Sequence, residues 1–468
     1  MKLKALIKNL DLSVKGSKEI EITGVCSDSR VVAPGNLFIA KKGCSYDGTQ
    51  FIHQAVAAGA VAILTDIYDP FLEQTQVISP KVSDIESKLV ARYFANPSQD
   101  LFVVGVTGTK GKTTTSYLVK HLLDGLKKTA GLISTVETVI GANRFPSTLT
   151  THDIISNQRW LKEMVKKECK AAVMEVSSHG LAQGRVEEID FDVGIFTNLS
   201  PDHLDYHLTF ENYAKEKEKL IAKSKYVILN ADSYWGQFEG FSFGIEKGNL
   251  RPENLKMNAS GTEFDIEGCH FKIPLIGRFN VYNALAAISV GLHLGEPLSK
   301  IRDVLAEFKG VPGRLERYGN VFVDFAHSGV ALENVLQTLK EIVEGRLIVV
   351  FGSGGERDPL RRETMGKAAD KWADLSIVTS DNPRGEDPNE IIRQIVAHFK
   401  KKPLVEADRK NAIHLALDLA EEKDFVLIAG RGHEQYQLIG GQKVPFEDMA
   451  VVKERLKNQM SSAMVNPL

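Results

Sequence analysis

The sequence predicts an α/β protein with three domains, each built on its own sheet. The chain has 468 residues, of which 43% are hydrophobic, and a chain of this length buries more than one core. Short apolar runs alternate with helical patterns along most of the sequence, which is typical of parallel sheets covered by helices. We expect an N-terminal α/β domain at 1–98, a central domain with a mostly parallel sheet at 99–311, and a second compact α/β domain at 312–468.

The first domain is predicted from short strands and one clear helix. The apolar runs predict strands at 21–30, 36–40 and 60–65, and the periodicity predicts helices at 51–58 and 82–93. Ser29 lies in the polar turn Asp28-Ser-Arg30 and could bind a polar ligand, although a turn capped by its own side chains explains the same residues. The break Asn96-Pro-Ser98 indicates a linker.

The central domain opens on a phosphate-binding pattern. An apolar strand ends in Val106-Thr-Gly-Thr-Lys-Gly-Lys-Thr-Thr114, and a helical pattern follows at once. In this context backbone N–H groups and a helix N-terminus bind phosphates, with Lys112 reaching the terminal phosphates and Thr113 binding Mg²⁺. The loop departs from the strict motif, because its first position is Val106 rather than glycine. A tight strand-to-helix turn is the simpler alternative.

Two further strands of this domain end in chemically useful side chains. The run 171–176 carries Glu175 near its end, and the run 192–199 leads into Asp202 and His203. Ligands of open α/β sheets bind at the carboxyl ends of strands, so both residues should lie near the phosphate loop. With Thr113 they form a plausible Mg²⁺ set. A histidine ligand to Mg²⁺ is unusual, and a hydrogen-bonded turn residue is the alternative for His203.

The rest of the central domain contains two helical patterns of interest. The charged run 211–219 predicts a solvated helix with ion pairs one turn apart. Asn280 and Asn283 lie on one face at the start of the helix that follows Gly277, where they could cap the helix or present amides to a base. A hinge is predicted at 310–314, where glycines and a proline interrupt the periodicity.

The last domain places three polar clusters at the ends of three predicted strands. They are Gly352-Ser-Gly-Gly-Glu-Arg-Asp358, Asp381-Asn-Pro-Arg384 and Gly430-Arg-Gly-His-Glu434. Because carboxyl ends of parallel strands share one edge of a sheet, the clusters could converge on one site.

Composition argues against several classes of protein. The net charge of −2 gives no basic field for nucleic acid. No apolar run reaches the roughly 18 residues that cross a bilayer, and the N-terminus lacks a signal-peptide pattern. We expect a cytoplasmic protein without nucleic-acid partners or membrane insertion. The four cysteines have no paired spacing, which favours free thiols over zinc or disulfides.

The motifs together resemble the Mur ligases, and most closely those that add the third peptide residue in peptidoglycan synthesis. Besides the phosphate loop, the resemblance rests on four segments that occur in the family's order: Met174-Glu-Val-Ser-Ser-His-Gly-Leu181, Asn198-Leu-Ser-Pro-Asp-His-Leu-Asp-Tyr-His207, Gly277-Arg-Phe-Asn-Val-Tyr-Asn-Ala284 and Asp381-Asn-Pro-Arg384. It implies an N-terminal UDP-binding domain, a central ATPase domain and a C-terminal Rossmann-like domain.

The resemblance also implies a reaction. ATP phosphorylates a carboxylate of UDP-N-acetylmuramoyl-L-alanyl-D-glutamate, an incoming amine attacks the acyl phosphate, and an amide, ADP and phosphate result. Mg²⁺ offsets the charge that gathers on the phosphate and acyl oxygens. Such an enzyme is expected to be a monomer here, and to serve cell-wall synthesis, cell shape and division.

Site residues follow from the resemblance by position. Lys217 matches a lysine that carries a carbamate and, with Thr113, Glu175 and His203, binds Mg²⁺; Lys112, Lys217, His203 and Glu175 form the catalytic set. The remaining matches fall into three groups. ATP would contact Gly108, Thr109, Lys110, Gly111, Lys112, Thr113, Thr114, Asn280, Asn283, Arg314 and Asp324. The muramoyl dipeptide would contact Ser29, Thr150, Thr151, Ser177, Gln183 and Arg185. The amino acid would contact Arg357, Asp381, Asn382, Pro383, Arg384, Gly430 and Glu434.

The family's diaminopimelate enzymes carry Asp-Asn-Pro-Arg, which implies meso-diaminopimelate as the amino acid. Arg384 would bind its distal carboxylate in a bidentate manner, and Glu434 would accept its ammonium. L-lysine is the nearest alternative, but it leaves Arg384 without a carboxylate. Folylpolyglutamate synthetases share the ATPase core, and a nucleotide-controlled switch or a scaffold would use fewer of the motifs. The loop 43–48 and the turn 325–329 depart from the family pattern, which leaves their base and ATP contacts open.

Overall fold

The computed structural model describes residues 1–43 and 47–465, with side chains as far as Gln459. The described chain divides into two compact units. The first contains Met1–Leu250 and Ala286–Gly295, and the second contains Arg251–Leu285 and the described residues from Glu296 onward. Both units combine sheets with helices, which confirms the α/β class.

The first unit begins with a five-stranded sheet in the order β1-β5-β4-β3-β2. Only β1 is antiparallel to its neighbour. The strands are β1 Ser13–Lys15, β2 Gly24–Cys26, β3 Asn36–Ile39, β4 Ala62–Thr65 and β5 Thr75–Ile78, and the helices are α1 Leu3–Leu6, α2 Ile52–Ala57 and α3 Val82–Tyr93. Apolar side chains of α1 and α3 pack against the sheet, because their periodic faces match its buried side. The predicted strands and helices of this region are present, with β1 and β5 in addition.

An eight-stranded sheet follows in the order β13-β12-β11-β6-β10-β7-β8-β9. Its six strands from β13 to β7 are parallel, and β8 and β9 form antiparallel additions at one edge. The strands are β6 Phe102–Thr107, β7 Ala130–Ile133, β8 Glu137–Ile140, β9 Asn143–Pro146, β10 Ala171–Glu175, β11 Phe191–Phe196, β12 Ser224–Asn230 and β13 Phe241–Phe243. The helices are α4 Lys112–Gly125, α5 Ile154–Lys166, α6 Ser178–Ala182, α7 Leu204–His207 and α8 Phe210–Ala222.

The position of β6 organises this sheet. It lies between β10 and β11, and its residues from Val103 to Thr107 are buried. Glu175 is the last residue of β10 and pairs with Val106, while Phe196 of β11 pairs with Thr107. The carboxyl ends of three neighbouring strands therefore meet at the start of the phosphate loop, as the sequence predicts.

The second unit begins with an antiparallel sheet that the sequence pattern did not indicate. Its strands are β14 Glu253–Asn258, β15 Gly261–Ile266 and β16 Cys269–Ile273. The helix α9 Arg278–His293 follows, of which the residues from Ala286 onward belong to the first unit, and then the helix α10 Leu298–Ala306. The sequence analysis assigned no strands to 253–273, so this sheet is an addition to the alternation of strands and helices expected along most of the sequence.

The remaining sheet has six strands in the order β17-β18-β22-β19-β20-β21, and all neighbours except β17 and β18 are parallel. The strands are β17 Glu316–Tyr318, β18 Val321–Asp324, β19 Leu347–Phe351, β20 Leu375–Val378, β21 Leu404–Val405 and β22 Phe425–Ala429. The helices are α11 Gly329–Lys340, α12 Leu360–Trp372, α13 Pro388–Val396 and α14 Arg409–Leu419. Apolar clusters cover both faces, as buried parallel strands require.

A hairpin of β23 Tyr436–Ile439 and β24 Gln442–Pro445 precedes the last helix, α15 Asp448–Val465. Cys26, Cys169 and Cys269 are free thiols. Across residues 1–43 and 47–465, no helix combines the length and apolar character needed to cross a membrane.

Candidate active site

The phosphate loop joins β6 to α4 through two glycines in left-handed conformations. Gly108 has φ +144° and Gly111, which precedes α4, has φ +85°. A Cβ at Gly108 would lie 1.9 Å from the hydroxyl of Thr197 and 3.0 Å from the backbone of Asn198. Only glycine fits this approach to β11, so the loop geometry depends on Gly108.

The end of β11 holds the loop by hydrogen bonds. The Thr109 amide donates to the Asn198 carbonyl at 2.8 Å, and the Lys110 amide donates to the Asn198 side-chain oxygen at 2.9 Å. The Thr197 hydroxyl donates to the Lys110 carbonyl at 2.6 Å. The ammonium of Lys110 forms an exposed ion pair with Asp202 at 3.2 Å. Lys110, the departure from the usual loop sequence, therefore contacts the segment that carries His203.

Two lysines donate to the same carbonyl at the start of this loop. Lys112 Nζ lies 2.8 Å from the Gly108 carbonyl oxygen, and Lys217 Nζ lies 2.9 Å from it. Thr113 and Thr114 lie in the first turn of α4 and are buried. Lys112 thus places a positive charge where the sequence predicts terminal phosphates.

Lys217 is buried within α8, and only 1% of the residue is exposed. Its other neighbours are the Thr107 hydroxyl at 3.5 Å and the Tyr213 ring, 4.9 Å from Nζ to the ring centroid. Burial, with repulsion from Lys112, holds the pKa of Lys217 well below its ordinary value. The interpretation of 211–219 as a wholly solvated helix is therefore wrong at Lys217, whose amine is favoured in its neutral form.

Glu175 is fully buried at the end of β10 and accepts two hydrogen bonds from Thr135. The amide and the hydroxyl of Thr135 each lie 2.9 Å from a carboxylate oxygen of Glu175. The same hydroxyl lies 3.1 Å from the Thr150 hydroxyl. Thr135 is a site residue that the sequence motifs did not indicate, because it lies in the turn after β7 without a recognisable pattern.

Four of the residues matched to the dipeptide lie together beside Glu175. The Thr151 hydroxyl donates to the Glu175 carbonyl at 2.9 Å and lies 3.1 Å from the Ser177 hydroxyl. The Arg185 guanidinium donates to the Thr151 carbonyl at 2.7 Å and to the Gln183 side-chain oxygen at 2.6 Å. This network aligns hydroxyl, amide and guanidinium donors, which suits carboxylate and amide groups of a ligand.

His203 is the N-cap residue immediately before α7 and has a left-handed conformation with φ +54°. Its ring lies 4.9 Å from that of His179, and the His179 ring in turn lies 5.4 Å from that of His207. Burial lowers the pKa of His203, aided by Lys112 and Lys217 and opposed by Asp202. The neighbouring histidines were not indicated as a cluster by the sequence, although all three lie in the family-like segments.

Of the four residues predicted to bind Mg²⁺, Lys217 and His203 offer an amine and an imidazole rather than oxygen donors. Among the described residues, no group of three or more His, Cys, Asp or Glu side chains is placed to hold a metal ion. A hard cation requires oxygen ligands, which Thr113 and Glu175 provide and the amine of Lys217 does not. Lys217 can therefore join the predicted Mg²⁺ set only if it carries an oxygen donor, and burial, which favours the amine over the ammonium, suits it to that modification.

Ser29 lies in the five-stranded sheet region, where it is buried and its hydroxyl donates to the Gln54 side-chain oxygen at 2.9 Å. Asp28 caps the turn by accepting from the Arg30 amide. Cys44, Ser45 and Tyr46 of the predicted uridine loop lie outside the described residues.

Asn280 and Asn283 at the start of α9 contact each other. Asn280 Nδ2 donates to the Ile276 carbonyl at 2.9 Å, and Asn283 Nδ2 lies 2.9 Å from Asn280 Oδ1. Both residues are buried. The contact with Ile276 is a local structural role, and adenine recognition by these amides stays a prediction.

Arg314 precedes β17 along the chain, and Asp324 is the last residue of β18. The Asp324 carboxylate accepts from the Leu315 amide at 2.7 Å, and the Arg314 guanidinium stacks on Phe325 with a distance of 4.6 Å to the ring centroid. Loss of hydration raises the pKa of Asp324 to about 6, with Arg314 acting in the opposite direction. Phe325, which departs from the family pattern, therefore supports the Arg314 side chain.

The polar clusters after β20 and β22 converge as predicted. Asn382 Nδ2 donates to the Glu434 carboxylate at 2.9 Å. Arg384 has φ +55°, and its guanidinium donates to the Gly355 carbonyl at 2.6 Å. A Cβ at Gly430 would lie 2.5 Å from the Asp381 carboxylate, so this glycine allows the two strand ends to approach.

The remaining residues of this cluster differ in exposure. Pro383 is buried, whereas Arg357 is exposed, and Gly354 lies between Arg357 and Arg384. Burial raises the pKa of Glu434, although its hydrogen bond from Asn382 acts against the shift. Arg431 was not indicated as a site residue, yet its fully buried guanidinium donates to Asn382 Oδ1 at 2.8 Å.

Comparison with known proteins gives matches along most of the chain. Family models match at 21–93 (Mur ligase family, catalytic domain), 106–291 (Mur ligase middle domain) and 313–432 (Mur ligase, glutamate ligase domain). A relative from Chlamydia caviae named UDP-N-acetylmuramoyl-L-alanyl-D-glutamate--2,6-diaminopimelate ligase is 42% identical, and the match covers 98% of this chain and 100% of the relative. This chain belongs to the Mur ligase family. A ligase of the same name from Caldanaerobacter subterraneus is 40% identical over 97% of this Mur ligase and 99% of its own length.

Solved structures support the same assignment. A structure named UDP-N-acetylmuramoyl-L-alanyl-D-glutamate--2,6-diaminopimelate ligase has a TM-score of 0.71 and 30% identity, and the match covers 98% of this chain and 99% of that one. The MurF ligase of Thermotoga maritima in complex with ADP matches in fold, with a TM-score of 0.64 and 20% identity over 94% and 99% of the two chains. This Mur ligase therefore has the three-domain α/β architecture of its family and is an ATP-dependent ligase.

Proposed function

We propose that this Mur ligase uses ATP to join meso-diaminopimelate to UDP-N-acetylmuramoyl-L-alanyl-D-glutamate in peptidoglycan synthesis. The observation that carries the proposal is the agreement, over nearly the whole chain, with relatives named for this dipeptide and 2,6-diaminopimelate. The reaction passes through an acyl phosphate. A carboxylate is a poor electrophile, and phosphorylation turns one of its oxygens into part of a leaving group.

The phosphate loop supplies the groups that bind ATP. The backbone amides from Gly108 to Gly111 and the N-terminus of α4 favour anionic oxygens, and Lys112 adds a full charge at the loop. The ammonium donates to the carbonyls of Gly108 and Thr109 in the loop, and it can exchange these bonds for phosphate oxygens. We assign the adenine to Asn280 and Asn283, and the ribose and phosphates to Arg314 and Asp324.

Lys217 is proposed to carry a carbamate. The neutral form of its amine attacks the carbon of CO₂, the nitrogen passes a proton to solvent water, and an anionic group with two oxygens results. Burial supports this step, because it favours the nucleophilic amine over the ammonium. The carbamate, Glu175, His203 and Thr113 would hold Mg²⁺, which offsets charge on the transferred phosphoryl group.

The donors beside Glu175 are proposed to orient the dipeptide. Arg185 can pair with a carboxylate of the D-glutamyl residue, while Thr150, Thr151 and Ser177 offer hydroxyls at the same strand end. Gln183 fixes the Arg185 guanidinium by accepting from it. Ser29 is proposed to contact the uridine end.

The distal end of diaminopimelate is assigned to the cluster after β20 and β22. Arg384 is proposed to bind its carboxylate with Arg357, and Glu434 to accept its ammonium. Asn382 holds the Glu434 carboxylate, and the Asp381, Pro383 and Gly430 backbones shape the site. L-lysine has the ammonium but lacks the carboxylate, so it would leave Arg384 unused.

The test is ATP-dependent phosphate release by the purified protein with Mg²⁺ and UDP-N-acetylmuramoyl-L-alanyl-D-glutamate, and mass analysis of the product. Three parallel reactions contain meso-diaminopimelate, L-lysine or no amino acid. We expect turnover and a tripeptide product with diaminopimelate. Higher kcat/KM with L-lysine would overturn the substrate assignment, and phosphate release that ignores the amino acid would overturn the ligase reaction.

Three further expectations remain proposals. The domain boundaries after residues 98 and 311 follow from the sequence breaks, the protein is expected to act as a monomer, and its reaction is expected in the cytoplasm, where ATP is available. Sedimentation of the purified chain tests the monomer.

A further inference from the structure

The site after β20 and β22 contains a buried cation that the proposed reaction does not yet use. Arg431 is fully buried and donates from Nη1 to Asn382 Oδ1 at 2.8 Å. From Nη2 it donates to the carbonyls of Tyr436 at 2.5 Å and Phe446 at 3.4 Å, at the two ends of the β23–β24 hairpin. The guanidinium therefore joins the Asn382 turn to the base of the hairpin.

These bonds fix the orientation of the Asn382 amide. Its Oδ1 accepts from Arg431 and from the Leu438 amide, both at 2.8 Å, and its Nδ2 donates to Glu434 at 2.9 Å. A flipped amide would place Nδ2 against two donors and Oδ1 against a carboxylate. Every donor and acceptor in the group would then be mismatched, and such mismatches are costly inside a protein.

The hairpin also determines where Arg384 lies. The Arg384 amide donates to the Leu438 carbonyl at 2.9 Å, and the Gly440 amide donates to the Arg384 carbonyl at 2.7 Å. The backbone of Arg384, held at φ +55°, thus pairs with the strand whose first carbonyl Arg431 binds. One buried guanidinium is connected to both groups assigned to the distal end of the amino acid.

We propose that Arg431 is a positioning residue for the amino-acid substrate, which sets Glu434 through Asn382 and sets Arg384 through the hairpin. This inference rests on the proposed diaminopimelate reaction. Arg431 touches no reacting atom, so its removal should raise the KM for diaminopimelate and leave the KM values for ATP and the UDP-linked dipeptide unchanged.

The positive charge of Arg431 makes a second contribution to the binding of the amino acid, through Glu434. The Arg431 guanidinium lies 3.5 Å from the Glu434 carboxylate. Burial raises the pKa of Glu434, with Asp381 acting in the same direction, while Asn382, Arg431 and Arg384 act against the shift. Without the cation the pKa of Glu434 would rise further, so at a given pH a larger share of Glu434 would be protonated and unable to accept an ammonium. The rise in KM should therefore be larger at pH 7 than at pH 9, relative to the wild type at each pH.

The experiment compares Arg431→Lys, Arg431→Gln and the wild type by steady-state kinetics with meso-diaminopimelate. Arg431→Lys keeps the charge but cannot reach all three acceptors, so its KM should rise roughly tenfold at both pH values, the loss expected for one charge-assisted contact. Arg431→Gln should show a larger rise that shrinks toward pH 9. Arg346→Gln is the control, because Arg346 also bonds a carboxylate and a carbonyl, but at the opposite end of β19.

A double-mutant cycle decides whether Arg431 acts through Asn382. In the Asn382→Ala background, Arg431→Lys should cause less than half of its single-variant effect on the logarithm of KM. Full additivity, equal losses for all three substrates or no change in KM would overturn the proposal. If Arg431→Gln does not fold, the lysine variant and its cycle decide alone. Absence of wild-type turnover with diaminopimelate is a separate result, because it overturns the proposed function and this inference with it.

Discussion

Gly108→Ala tests the geometry of the phosphate loop with a single methyl group. Gly108 has φ +144°, which an L-residue rarely adopts, and the new Cβ would lie 1.9 Å from the Thr197 hydroxyl. Left-handed backbone costs about 1 to 2 kcal/mol in an L-residue, and overpacking adds about 1 to 3 kcal/mol. We expect the free energy of unfolding to fall by about 2 to 5 kcal/mol.

The functional effect should exceed the effect on stability. The Gly108 carbonyl accepts from both Lys112 and Lys217, so a shift of this residue displaces both amines. A displacement of about 1 Å can reduce a rate about 100-fold, and we expect kcat/KM for ATP to fall by at least that factor. Urea unfolding measures the stability, and phosphate release with all substrates present measures the activity.

Gly141→Ala is the matched control for this experiment. Gly141 also has positive φ, at +58°, but a Cβ there has no atom within 4 Å. This variant should lose only the backbone term of about 1 to 2 kcal/mol and keep its activity. Adding Thr197→Ala to Gly108→Ala should restore part of the stability, because the nearest clashing atom is gone while the Asn198 backbone at 3.0 Å remains. Equal behaviour of Gly108→Ala and Gly141→Ala would refute the reasoning.

Three further outcomes follow from buried charges. Lys217→Met should abolish phosphate release without lowering the unfolding free energy measured in urea. Because the pKa of Lys217 is depressed in the folded state, the wild type should gain stability relative to this variant as pH rises toward the pKa of an unfolded lysine. Asp448→Asn should lower the unfolding free energy by about 3 to 5 kcal/mol, since it removes the partner of fully buried Arg409. Asp324→Asn should weaken ATP binding, as measured by calorimetry, yet raise the unfolding free energy by up to about 3 kcal/mol at pH 7.5. The reason is that a carboxyl whose pKa is raised to about 6 in the folded state stabilises the fold below pH 3.8, and this contribution is lost as pH rises through about 6. Equal dependence of the unfolding free energy on pH in the variant and the wild type would contradict this.

The strands with strong apolar patterns were predictable, and the polar ones were not. Helix α3 has the predicted bounds Val82–Tyr93, and β6 and β10 lie where their buried runs indicate. The strand β14 contains Glu, Asn and Lys and is exposed at most positions, so its residues carry no strong alternation. Its pairing with β15 defines it as a strand, and such tertiary contacts override local preference.

In the candidate site too, residues in recognisable sequence motifs were predictable, and residues defined by contacts in the folded chain were not. Gly-Lys-Thr, Glu175 and the strand-end clusters were predictable, because strand ends of parallel sheets share an edge. Lys217 lies in a run of charges that predicts solvated residues, and only the family resemblance singled it out. Arg431 was missed because arginine is rarely buried, and the three acceptors that surround it lie at separate points of the chain.

Backbone conformation sets a further limit on prediction from sequence. His203 and Arg384 have φ of +54° and +55°, where glycine or asparagine would cost less than either residue. Glycine would remove the imidazole and the guanidinium that the proposed reaction requires at these two positions. The surrounding structure must therefore hold the costly conformation, and for Arg384 the paired hairpin strand does so through two backbone hydrogen bonds. A local pattern cannot indicate this arrangement, because the residues that hold Arg384 follow it by more than fifty positions and contact it only in the folded chain.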